Sequence, residues 1–143
     1  MDVLKRIHRW LHAGGLLLDL HPEPDLPKVA VVEVGGGRVM LGHVDTTSLL
    51  GNIYRARAEV TSLVQAGYFE RERSVVFDFV SHFAGVDEWL RHREARRSTS
   101  VVQPDIIEHA RDLLALAAAA TSRELQVTER VLATRLKAVP ARL

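Results

Sequence analysis

The stretch from Leu11 to Pro22, "LHAGGLLLDLHP", sets the tightest limit on what this chain can fold into. A helical pattern leads up to it: Val3, Leu4, Ile7, Trp10 and Leu11 fall on one face of residues 2–13. Gly14 or Gly15 then ends the helix, because glycine takes the left-handed cap conformation without steric cost. His12 sits in the last turn, where positive charge suits the helix dipole. Leu16, Leu17, Leu18 and Leu20 make residues 16–20 apolar on both faces, the pattern of a strand buried in the middle of a parallel sheet. The prolines of "HPEPDLP" break it. Such a strand needs neighbours on both edges, and almost nothing precedes it here.

The following runs, "KVAVVEV" and "RVMLGHV", flank Gly35-Gly36-Gly37 and predict a hairpin over residues 29–44. A phosphate cradle would need a helix opening directly after the glycines, and a strand follows instead. Asp45, Thr46 or Thr47 can cap a long helix to about Ala66. Its apolar stripe is Leu49, Leu50, Ile53, Ala56, Val60, Leu63 and Val64, and Gly67 stops it. Residues 70–80 predict a strand that starts charged and becomes buried. A short helix over 86–97 turns Val86, Trp89 and Leu90 inward. Pro104 suits the first turn of a further helix running to about Ala120. Residues 124–137 predict a long last strand. No internal repeat or domain boundary stands out, so residues 1–143 are expected to form a single domain.

The order is helix, Gly-Gly turn, strand, insertion, helix, strand, helices, strand. It resembles the C-terminal half of a class I S-adenosylmethionine-dependent methyltransferase. In that family a helix ending near a Gly-Gly turn leads into the fifth strand. The matching segment here is "WLHAGGLLLDLHP", with Ala13 where the family usually has proline. "LVQAGYFERERSVVFDF" matches the family's approach to its sixth strand, through Ala66-Gly67-Tyr68. Residues 124–137 would be the last strand, running antiparallel between the fifth and sixth. The resemblance covers nearly the whole chain; each motif is moderately specific, and their order and spacing carry more weight.

The resemblance implies an α/β fold: a truncated Rossmann-like sheet, mixed, of three main strands plus a separate hairpin, with flanking helices. It also implies that the family's first four strands, which carry the cofactor's glycine-rich loop, lie outside this sequence. No G-x-G-x-G loop following a strand occurs in it. The isolated chain is therefore expected to hold no cofactor, S-adenosylmethionine entering only if a partner chain supplies the missing half. A fragment and a natural half-domain both remain open, as does any residual activity. The vacant place beside strand 16–20 leaves an apolar edge, which predicts a homodimer unless the hairpin covers it.

Candidate site residues follow from position. Asp19, His21 and Glu23 lie at or just after the end of the first strand, on the edge that faces substrate in the resembling family. Asp19 and His21 alternate to one side, so they can pair, and a histidine can serve as a base near neutral pH. A backbone-capping Asp19 with a solvated His21 is the plainer alternative. Tyr54 and His82 are further candidates for lining a cleft, or equally core-edge residues. His8 and His12 have a metal-compatible spacing but no evident third ligand. Arg91, His92, Arg93, Arg96 and Arg97 form a basic cluster without interleaved aromatics, the ordinary look of a solvated helix face. With a net charge of +1, nucleic acid is not expected as a partner. No apolar run approaches bilayer length, so no membrane contact is expected. The chain has no cysteine, which removes disulfides and thiolate zinc sites, and a cytoplasmic location is expected.

Overall fold

The computed structural model describes residues 2–116 and 122–140. In chain order they form α1 (Asp2–Trp10), β1 (Leu16–Pro22), β2 (Lys28–Glu33), β3 (Arg38–His43), α2 (Leu50–Gln65), β4 (Phe69–Phe83), α3 (Val86–Ala95), α4 (Pro104–Ala115) and β5 (Arg123–Ala138). The fold is α/β, with four helices and an open five-stranded antiparallel sheet. The expected extension of α4 through residues 117–120 lies outside the described residues.

Two features of the expected sheet are corrected. It is antiparallel rather than mixed, because β1, β2 and β4 all pair with β5. The hairpin is not separate either: β2 pairs with β5 from Lys28↔Thr128 to Glu33↔Arg123, and β3 continues the sheet beyond β2. The chain divides into two compact units, and the long strands β4 and β5 contribute residues to both.

The first unit comprises residues 1–24, 50–77 and 131–143. Its core is Val60, Leu63, Phe69, Leu136 and Ala138, with Leu4, Leu11, Leu17, Val64 and Tyr68 packed around them. The turn after α1 is tied to the end of β5: Gly14 donates to the Ala138 carbonyl, and the Ala138 N–H donates to Gly15. Gly14 has φ +78°, the conformation expected of a glycine stop. The face of α1 differs from the expected one. Leu4 and Leu11 reach the core, whereas Val3 and Trp10 are exposed. His8 takes the inner place instead. It packs edge-on to Tyr68 and Phe69 and bonds the Val139 carbonyl through Nε2 at 2.9 Å.

The expected burial of β1 on both faces is also corrected. Residues directly opposite in an antiparallel pair share a face. The register puts Leu17, Asp19 and His21 beside Leu136, Thr134 and Leu132. It puts Leu16, Leu18 and Leu20 beside Lys137, Arg135 and Ala133. The core that includes α1 and α2 covers only the first set. Leu16, Leu18 and Leu20 are left 52%, 61% and 55% exposed.

The second unit comprises residues 25–49 and 78–130. Val29, Val31, Leu125 and Val127 from the paired strands meet Trp89 of α3 and Ile106 and Ala110 of α4. At Gly42 (φ +152°) a Cβ would lie 2.7 Å from Ile106 Cδ1, so the approach of α4 to β3 requires glycine there. Glu88 reaches back to accept the Ala84 N–H at 2.7 Å before α3, and Pro104 starts α4 as expected. Ahead of α2, Asp45 Oδ1 accepts the Thr47 N–H at 2.9 Å. Those bonds to Thr47 hold the Asp45 carboxyl below its ordinary pKa.

Candidate functional site

The alternation of β1 aims Asp19 and His21 to the helix-covered face, and their side chains meet: His21 Nδ1 lies 3.0 Å from Asp19 Oδ2. The pairing that alternation allows is present, and the plainer alternative of a solvated His21 is corrected. The pair extends into a chain through a residue that strand-based reasoning did not single out, Arg57 of α2. Arg57 Nε donates to His21 Nε2 at 3.2 Å, and one of its terminal nitrogens donates to Glu23 Oε1. With Arg57 donating to Nε2, Nδ1 must carry the proton given to Asp19, so His21 is the Nδ1–H tautomer. The imidazole is held between a carboxylate and a guanidinium, with its side chain only 10% exposed.

This arrangement constrains the chemistry. Both ring nitrogens of His21 are engaged, so no imidazole lone pair faces open space, and a general-base role has no free atom to act through. Three of the five candidates, Asp19, His21 and Glu23, are brought together by Arg57. A cavity of about 300 Å³ opens beside them. Val60, Thr61 and Leu132 contribute to its wall, as do Arg71, Ser74 and Thr134. The Ser74 and Thr134 hydroxyls lie 3.2 Å apart. Arg57 had one legible signal: it sits four residues after Ile53 and three before Val60, at the margin of the apolar stripe. Arg71 had none.

Tyr54 and His82 do not join this group. Tyr54 is an exposed residue of α2 and does not line the cavity. His82 belongs to the second unit, where its Nδ1 lies 2.8 Å from Glu124 Oε1. Glu124 has its pKa lowered first by Gln126 and then by His82. Among the described residues no group of three or more His, Cys, Asp or Glu side chains could hold a metal. Of the basic cluster, Arg93 turns inward, donating to Ser100 and lying 5.7 Å from the Trp89 ring centroid. Burial lowers its pKa. No described helix is long and apolar enough to cross a membrane.

The opposite face of the first unit's sheet carries a second candidate surface. Leu16, Leu18 and Leu20 of β1 stand beside Lys137, Arg135 and Ala133 of β5. Val75 and Phe77 of β4, which also pairs with β5, are exposed as well. The ion pair of Glu72 and Arg135 lies on the neighbouring strands, and Lys137 stands opposite Leu16.

Compared with family models, curated proteins and solved structures, the chain matches none.

Proposed function

We propose that this chain is a non-catalytic assembly module with a methyltransferase-like strand order, and that it works as a homodimer. The observation that carries the dimer is the open sheet face of the first unit. Leu16, Leu18 and Leu20, three exposed leucines on one face of an outer strand, form an apolar surface of the kind that marks an interface. A second copy is the occupant that fits. The patch carries both signs of charge, Glu72 with Arg135 and Lys137, as a two-fold contact of one surface with itself requires. The lack of catalysis is supported by the engagement of both His21 nitrogens. A cytoplasmic setting, without nucleic acid or membrane as partner, belongs to the same proposal. Size-exclusion chromatography with light scattering tests it: a mass twice 16.0 kDa at micromolar concentration is expected, and a monodisperse 16.0 kDa species refutes it.

A second reading has its own observation. β5 lies between β1 and β4 and is antiparallel to both, as the last strand of the methyltransferase family lies between its fifth and sixth. This supports descent from that family and a role as the substrate-side half of an enzyme whose cofactor half comes from a partner chain. Titration with S-adenosylmethionine separates the readings. The isolated chain is expected not to bind it, whereas a low-micromolar dissociation constant, about −8 kcal/mol, favours the enzyme.

A further inference from the structure

The cavity beside His21 has the makings of a binding site. Arg57 is fixed by two partners, His21 and Glu23, and so offers a cation whose position is set before any ligand arrives. Arg71 lines the same cavity, and among the described residues its side chain has no hydrogen-bond or ion-pair partner. Thr134 is 3% exposed, and among the described residues its hydroxyl is shared only with that of Ser74. In a hydroxyl pair one group donates to the other, which leaves one proton to give elsewhere.

We propose that this cavity binds a small organic monocarboxylate. Its charge decides the class. Among the lining residues Arg57 and Arg71 are cationic and Glu23 is anionic, the His21 tautomer is uncharged, and the Asp19 carboxylate that accepts from His21 is not part of the lining. The lining therefore carries one net positive charge, which a single carboxylate neutralises. A phosphate dianion would bring excess negative charge beside Glu23. The walls suit an organic body rather than a bare ion, since Val60 and Leu132 supply apolar surface. At about 300 Å³ the space is at the small end for ligand sites, which limits the body to a short chain or a single ring. The guanidinium fork of Arg71 matches a carboxylate in the bidentate manner, and the free hydroxyl proton supplies a further donor.

Benzoate is the probe. Nuclear magnetic resonance of the full chain follows the His21 ring and the Arg57 Nε–H during titration, with inorganic phosphate in a parallel series. Saturable shifts of both groups with benzoate are expected, with weaker binding of phosphate. Arg71→Ala should weaken benzoate about tenfold or more, the scale of one lost charge-assisted contact. Arg71 is exposed and has no partner among the described residues, so the variant should keep the wild-type melting temperature. Non-saturating shifts, equal affinity of the Arg71→Ala variant, or tighter binding of phosphate than of benzoate overturns the proposal. The readout is independent of the dimer, because the cavity is on the helix-covered face and light scattering reports the other.

Discussion

Replacing Leu20 with aspartate is expected to dissociate the proposed dimer while leaving the protomer folded. Leu16, Leu18 and Leu20 together leave about 1.7 leucine side chains unburied per protomer, worth roughly 2.5–5 kcal/mol on full burial. A two-fold pair doubles this, which brings it level with an association cost of about 4–15 kcal/mol. Leu20→Asp withdraws about 1–1.5 kcal/mol of that transfer energy per protomer. It also places a carboxylate in the contact opposite Ala133, which offers no cation. Leu18 is a poorer choice, since its neighbour Arg135 could pair with the new carboxylate. Desolvating two unpaired carboxylates costs several kcal/mol more. The dimer constant should weaken at least about 100-fold. Sedimentation velocity over a dilution series reads this directly, and a urea melt checks the protomer. A Leu20→Asp variant that sediments as a dimer with wild-type affinity would show that this face is not the contact.

Three further outcomes are expected of the same fold. Arg57→Ala strips His21 and Glu23 of their shared donor and should cost about 1–2 kcal/mol in a urea melt, the lower range for charged hydrogen bonds because solvent reaches part of the network. Gly42→Ala should cost about 1–3 kcal/mol by the same measurement, since its Cβ would press on Ile106 in a backbone conformation that alanine resists. Asp45 has a lowered folded pKa, so its contribution to stability is present above the ordinary aspartate range and is lost as pH falls through the lowered value. The stability margin of the wild type over Asp45→Asn should therefore shrink on acidification, as thermal melts at a series of pH values would show.

The sequence's legible parts were those set by local chemistry. The glycine stop at Gly14, the helix stripe of Ile53, Val60 and Leu63, Pro104 at a helix start, and the last strand over 123–138 all rest on backbone preference or periodicity. The pairing of Asp19 with His21 was legible for the same reason, since residues two apart in a strand share a side. What was not legible depends on which element arrives from elsewhere. Leu16, Leu17, Leu18 and Leu20 have the same character in sequence, but only Leu17 meets the helices, and no local signal tells it from its neighbours. The hairpin's apolar runs showed that β2 wants a partner, not that the partner is the first half of β5. Arg57 and Arg71 read as ordinary surface cations until α2 and β4 set them beside the end of β1.

The alternation of β1 also links the two proposed roles. Odd positions place Leu17 in the core and aim Asp19 and His21 towards the cavity, while even positions present three leucines to the open side. A one-residue slip against β5 would turn the polar pair onto the open face and press leucines against Thr134 and Arg57. The hydrogen bonds that Arg57 of α2 donates to His21 and Glu23 oppose that slip, because both would be lost, whereas the bond from His21 to Asp19, two apart in one strand, would turn over with it. The polar network therefore fixes the register that keeps the leucine face whole. An exposed apolar strand without such a lock would be free to pair in several registers and aggregate. One that has it can offer a single defined surface to a second copy.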